Sequence, residues 1–267
     1  MSTVIYPSPI FGPVHSRRLG ISLGINLLPA DGKICSFDCI YCECGFNRDH
    51  RPTLPMPTPE QVSLKLEGKL QEMTASGQLP DVLTFAGNGE PTCHPQFAEI
   101  IDDTIRLRDQ YCPKAKVSVL SNSTMIHRQS VHDALMRVDN NILKLDTVDP
   151  IYINKVDRPN AAYDVRQIIE HMKAFNGHII IQTMFMRGTL SRADGFPPSE
   201  SLSVDNTGEE YVAPWLEAIR EIRPQQVMAY TIERETPTQG LEKASREQLD
   251  AIRDRVIALG FPCSASY

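Results

Sequence analysis

The stretch Cys35-Ser-Phe-Asp-Cys39-Ile-Tyr-Cys42 decides how the rest of the chain is read. Three thiols spaced C-x3-C-x2-C are one short of a closed four-ligand site. Soft thiolates select iron–sulfur clusters, zinc or copper(I) over hard cations. A [4Fe–4S] cluster takes one cysteine for each iron, so three cysteines leave one iron with an open position where a ligand binds. Two other readings compete. Residues three and four apart share a helical face, so the cysteines would simply pack in a core; against this, Asp38 and Glu43 interrupt the run, and Gly32 and Gly45 bracket it as a loop. Alternatively Cys44 completes a structural zinc site, although such sites usually draw their cysteines from two separated pairs.

Outward from this run, apolar stretches of strand length alternate with helix-like segments. Strands are expected at residues 21–28, 82–86, 116–120, 141–145, 178–186 and 225–231. Prolines at 52, 55, 57 and 59 favour an extended connector. Thr58 then reads as a helix cap with Pro59 in the first turn. Val62, Leu64, Leu66, Leu70 and Met73 form an imperfect apolar face that ends near Gly77, and a second helix is expected at 95–109. Alternating strand and helix implies a parallel sheet of right-handed crossover units. Periodicity alone leaves a barrel and an open doubly wound sheet equally available. In both, chemistry collects at the C-terminal ends of the strands. The cysteine loop (32–50) and residues 87–92, 121–123 and 146–149 are therefore expected on one face. Residues 189–208 lack periodicity and read as a long loop, either functional or disordered. No internal repeat and no second core are evident, so residues 1–267 read as one domain.

The composition, 41% hydrophobic and 22% charged, is that of an ordinary soluble globular protein. No apolar stretch approaches the ~20 residues of a spanning helix, and Met1-Ser-Thr-Val-Ile-Tyr-Pro lacks the regions of a secretory signal. Seven cysteines, three of them clustered, argue for a reducing compartment and metal rather than disulfides. A cytoplasmic location and no membrane partner are expected. The net charge of −6 weakens a nucleic-acid partner without removing it. Arg17, Arg18, Arg48, His50 and Arg51 form either a local basic rim or a solvated surface.

Two further segments extend the reading: Phe11-Gly-Pro-Val-His-Ser-Arg-Arg-Leu-Gly-Ile-Ser-Leu-Gly-Ile-Asn26 and Thr84-Phe-Ala-Gly-Asn-Gly-Glu-Pro-Thr92. With these and with Tyr41 just ahead of the third cysteine, the chain resembles the radical S-adenosylmethionine (radical SAM) enzymes, in the branch related to wyosine-type tRNA-modifying Fe–S oxidoreductases. The resemblance implies an α/β fold, a partial (β/α)6 TIM-like barrel. It implies that Cys35, Cys39 and Cys42 hold a [4Fe–4S] cluster and that S-adenosylmethionine chelates the remaining iron. An electron from a donor such as flavodoxin or ferredoxin would then release a 5′-deoxyadenosyl radical, which abstracts hydrogen from the substrate. No separate acid or base is implied.

Gly87, Asn88, Gly89 and Glu90 look like the family's Gly-Gly-Glu motif, whose carboxylate accepts from the cofactor's ammonium group; a plain turn is the structural alternative. In the family the position of Tyr41 lies near the adenine. Asn122 and Asp146 are placed to reach the cofactor's ribose or carboxylate, or else to cap the next helix. Lys144 is either an inward functional cation or leans outward, and Gln182 and Arg187 share that ambiguity. Asn160 reads as a turn residue. Cys44, Cys93, Cys112 and Cys263 have no paired spacing. Wyosine synthases carry extra cysteines ahead of the motif, and none precedes Cys35 here. Three functions stand: a radical enzyme acting on a small molecule, nucleotide or tRNA; an activating enzyme that makes a radical on a partner protein; and a non-catalytic iron–sulfur or zinc-binding protein.

Overall fold

The computed structural model describes residues 3–16, 20–190 and 202–267. Arg17 and Arg18 of the expected basic rim, and residues 191–201 of the expected loop, lie outside the described residues. The chain divides into two compact units, one of residues 5–36 and 47–143, the other of residues 1–4, 37–46 and 144–267.

The first unit runs β1 (Ile10–Ser16), β2 (Gly20–Ile25), α1 (Pro59–Ser76), β3 (Val82–Phe85), α2 (Phe97–Tyr111), β4 (Lys116–Ser121), α3 (Gln129–Leu135) and β5 (Asn140–Lys144), whose last residue belongs to the second unit. Strands β2 to β5 pair in parallel in sequence order. Leu23, Ile25, Leu83, Phe85, Val117 and Val119 are completely buried. A parallel strand covered on both faces reads as a continuous apolar run, and this is why these strands were legible. β1 is different: it lies antiparallel on β2 with an irregularity between Phe11 and Val14, and the sequence reading did not include it. Gly12 and Pro13 break its strand pattern, and proline is tolerated there because β1 is an edge strand.

α1 begins as the sequence indicates. The Thr58 hydroxyl accepts from Gln61 N and the Gln61 side chain accepts from Thr58 N, a reciprocal cap with Pro59 at the first turn. Val62, Leu66, Leu70 and Met73 are buried, whereas Leu64 is 71% exposed. Leu64 lies only two positions from Val62 and Leu66, so it faces the other side of the helix. Its expected place on the apolar face is corrected accordingly.

The second unit contains α4 (Pro150–Val156), α5 (Val165–Lys173), β6 (Ile180–Met184), β7 (Met186–Leu190), β8 (Leu202–Ser203), α6 (Glu209–Ile222), β9 (Gln226–Tyr230), β10 (Leu241–Lys243), α7 (Arg246–Ala258) and β11 (Cys263–Ser266). β6, β9 and β11 are parallel, and β7 forms a small antiparallel sheet with β8 and β10. The single strand expected at 178–186 is thus two, divided at Phe185. Asn206 makes the division: its side chain accepts from Met186 N at 2.9 Å and donates to Met184 O at 2.8 Å and Asp146 O at 3.2 Å. The loop expected from 189 is also corrected at its ends, which pair as strands through Thr189↔Ser203 and Leu190↔Leu202. Trp215 and Phe185 pack edge to face at 5.3 Å in the core. The fold is α/β with mostly parallel strands in open rather than closed sheet order, as expected of a partial (β/α)6 TIM-like barrel.

Candidate functional site

In the first unit the site is built on the loop after β3. Gly87 and Gly89 have φ of +133° and +126°, values that side-chain-bearing residues rarely adopt. A Cβ on Gly89 would stand 1.9 Å from Ile34 O, and one on Gly87 2.7 Å from Cγ of Asn26. The bare backbone lets residues 87–90 lie against the start of the cysteine loop. Ile34 N donates to Asn88 O at 3.0 Å and Glu90 N to Ile34 O at 3.0 Å. Asn88 is completely buried. Its Oδ1 accepts from Tyr6 N, and its Nδ2 donates to Tyr6 O and Pro29 O, all within 2.9 Å. Asn26, which the sequence reading passed over, accepts from Asn88 N and Leu28 N. Both amides fasten this turn to the chain ahead of the cysteines.

Glu90 is 1% exposed. Its Oε1 accepts from Thr92 N at 3.0 Å and Thr92 Oγ1 at 2.5 Å, and its Oε2 accepts from Asn122 N at 2.5 Å. Burial raises its carboxyl pKa, while these donors and Ser121 pull the other way. The carboxylate caps the short 3₁₀ turn Pro91–Cys93 and ties it to the end of β4. Asn122 carries the connection onward: its Nδ2 donates to Ser36 Oγ at 2.9 Å and lies 3.5 Å from Cys35 Sγ. Its Oδ1 accepts from Thr124 N and Oγ1. Cys93 stands beside Ser36 and Glu90, and its thiol is pushed up to about 11, by burial first and by the Glu90 carboxylate next.

The second unit holds Cys39, Cys42, Tyr41 and Asp146. The loop carrying the two cysteines is laced to the end of α4: Asp38 N donates to Asp157 O and Ile40 N to Val156 O. Ile40 packs with Tyr152, Val156, Met184 and Met186, and Tyr41 lies against them. Lys144, at the end of β5, turns to this loop. Its Nζ donates to Asp146 Oδ2 and, at 2.7 Å, to Asp157 Oδ1. The Tyr41 hydroxyl donates to the same Asp146 oxygen, and Met184 N donates to the other at 2.9 Å. Asp157 also pairs with the Cys39 side chain, and burial pushes its carboxyl up to about 6 against the pull of Lys144. Burial lowers the Lys144 pKa, yet Asp146, Asp157 and Cys39 outweigh it and hold the value well above the ordinary one. Burial, reinforced by Asp146, likewise raises the Tyr41 phenol.

Asp146 does not cap a helix; Asp149 does, accepting from Tyr152 N at 2.6 Å. Arg187 is in an exposed ion pair with Glu242. Gln182 donates to Tyr230 Oη at 2.9 Å, and its buried Oε1 has no hydrogen-bond partner among the described residues. Asp157, Asn26 and Asn206 were missed by sequence reasoning. Asp157 and Asn206 sit in no motif, Asn26 closes the segment 11–26 with no role read for it there, and each acts through a contact the fold creates.

None of the seven cysteines is in a disulfide; Cys35, Cys39 and Cys42 are half-buried, whereas Cys44 and Cys112 are buried. Among the described residues no three His, Cys, Asp or Glu side chains gather closely enough to ligate one metal ion. A mononuclear zinc centre needs such a gathering, whereas an iron–sulfur cluster takes its thiolates on different irons. Three thiols in one run are the soft donor set that an iron–sulfur cluster takes.

The sequence model of the Radical SAM superfamily matches residues 31–190. Curated relatives include UPF0026 proteins of Methanocaldococcus jannaschii, 33% identical over 66% of this chain and 53% of the relative, and of Helicobacter pylori, 30% identical over 70% and 59%. The chain therefore spans a little over half the length of these relatives. Among solved structures it is similar in fold to a radical SAM methyltransferase from Sphaerobacter thermophilus, with a TM-score of 0.64, 13% identity, and 92% of this chain and 66% of that one covered. It is also similar to Streptococcus suis SuiB bound to S-adenosylmethionine, with a TM-score of 0.62, 14% identity and coverage of 91% and 50%. These matches do not single out the wyosine-related branch. The family match covers more than half of the 267 residues and contains all three clustered cysteines, so the chain belongs to the radical SAM superfamily.

Proposed function

We propose that this chain is a radical SAM oxidoreductase in which Cys35, Cys39 and Cys42 hold a [4Fe–4S] cluster. The observation that carries the reading is the hydrogen-bonded path Glu90–Asn122–Cys35, which joins the family's glycine-rich turn to a cluster cysteine. When bound, the cluster and S-adenosylmethionine supply a 5′-deoxyadenosyl radical that takes hydrogen from a substrate. The chain's own residues hold and orient. Gly87 and Gly89 let backbone approach the cofactor, with Asn88 fixing the turn. Glu90 holds Asn122 and Thr92 in place, and the Asn122 amide favours the Cys35 thiolate by donating to it. In the second unit the Tyr41 ring is the group offered to the adenine, and Asp146 fixes that ring by accepting from its hydroxyl.

The substrate class is a small molecule, nucleotide or tRNA, and the wyosine-related branch is favoured by residues 11–26 and 84–92. A second reading, a radical made on a protein partner, draws on SuiB, which is similar in fold and has been solved with its precursor peptide SuiA. Flavodoxin or ferredoxin is the proposed reductant, in a reducing cytoplasm. No helix among the described residues is long and apolar enough to cross a membrane. Anaerobic reconstitution tests the reading. About four iron and four sulfide per chain are expected, with slow reductive formation of 5′-deoxyadenosine that Cys39→Ala abolishes. Stoichiometric zinc in a protein that takes up no iron would overturn it.

A further inference from the structure

The second unit contains a buried cation whose position no motif explains. The Lys144 side chain is 13% exposed, and the two carboxylates it serves are 1% and 4% exposed, for Asp146 and Asp157 respectively. Its Nζ also lies 5.6 Å from the centre of the Phe37 ring and 5.3 Å from that of Tyr41. Phe37 and Tyr41 flank Cys39 by two residues on either side, and the Asp157 carbonyl accepts from Asp38 N, the residue next to Cys39. One ammonium group therefore serves two anions that line the cysteine loop. Two buried carboxylates without a cation are costly, because each charge is stripped of water. The site nevertheless keeps both, in contact with the loop that carries Cys39.

We propose that Lys144 is a positioning residue that compensates Asp146 and Asp157 along the cysteine loop and thereby sets the reduction potential of the iron–sulfur cluster. The proposal rests on the cluster reading above and names the residue that tunes it. Reduction adds an electron to a centre already carrying thiolate charge, and potentials of such centres follow local net charge and hydrogen bonding. A fixed cation beside Cys39 favours the reduced form, and each neighbouring carboxylate opposes it. The number of charges, rather than the shape of the side chain, is the controlling quantity. Arginine should therefore replace lysine functionally where methionine, of similar length, does not.

The test is an EPR-monitored redox titration of the reconstituted full chain, with iron content measured in parallel. Lys144→Met should shift the potential to more negative values, Asp157→Asn should shift it to more positive values, and the double variant should fall between them. Lys144→Arg should stay at the wild-type value. Where Lys144→Met does not fold, Asp157→Asn, expected above the wild-type potential, and the charge-balanced double variant, expected near it, still give distinct readings. Full iron in the variants with unmoved potentials overturns the proposal alone. A wild-type chain that takes up no iron overturns the cluster reading and this proposal with it.

Discussion

The backbone N–H of Asn122 lies 2.5 Å from Oε2 of Glu90, so a carboxylate in the loop after β3 holds the end of β4. Bonds of this charge-assisted kind are about twice as strong as neutral ones. Both Glu90 oxygens meet donors, and an amide in its place would turn its own N–H toward one of them. Glu90→Gln is therefore expected to destabilise the fold by about 1–3 kcal/mol, close to the loss in Glu90→Ala. Urea unfolding of the two variants measures it, and a neutral Glu90→Gln would show the carboxylate to be dispensable for the fold.

Two glycines should respond oppositely to alanine. At Gly89 a methyl group meets Ile34 O at 1.9 Å with φ at +126°, and a loss of roughly 2 kcal/mol or more is expected. At Gly68, within α1, a Cβ has nothing within 4 Å, so Gly68→Ala should stabilise by about 0.5–1 kcal/mol. Thermal melts of the pair provide the comparison.

His94 makes stability depend on pH in a fixed direction. Its Nδ1 accepts from Gln96 N at 3.1 Å, which leaves the proton on Nε2, 2.9 Å from Pro57 O. Burial lowers its pKa below the ordinary value, because charging the ring costs solvation and removes the acceptor for Gln96. The unfolded chain then binds the proton first as pH falls. The stabilisation is complete above about pH 6.5, the unfolded value, and is lost as pH falls through the folded pKa. Urea midpoints between pH 7.5 and 5 should fall more steeply in wild type than in His94→Gln. Parallel curves would refute the assignment.

Asn206 should matter more than its place beside an irregular segment suggests. Asn206→Ala leaves Met186 N, Met184 O and Asp146 O without their partner, and a loss of about 2–4 kcal/mol is expected from such buried groups. Asn206→Asp keeps the acceptor and loses the donor, so it should recover only part of this. Chemical denaturation of both variants checks the order.

Much of the fold was legible because the signals were local. The Thr58 cap needs only Pro59 and Gln61 beside it, and the buried parallel strands announce themselves as unbroken apolar runs. β1 was not legible, since Gly12 and Pro13 hide an edge strand that exists only through its pairing with β2. Nor was the break at Phe185, because the side chain that causes it comes from Asn206, beyond β8. The site divides the same way. The cysteines, the glycines and Glu90 belong to compact motifs, and Lys144 stood out as a charge in an apolar strand. Asp157, at the end of α4, has no sequence feature that pairs it with Lys144; the contact arises only when the end of α4 comes beside that lysine.

The two bonds between Asn88 and Tyr6 join positions 82 residues apart. The amide of Tyr6 therefore exchanges with solvent only when its bond to Asn88 opens. Any molecule that settles on that turn must slow this exchange by mass action, in proportion to its own occupancy. Tyr6 is thus a remote reporter: deuterium uptake at one N-terminal amide reads out ligand binding at residues 87–90 without any need to observe the ligand.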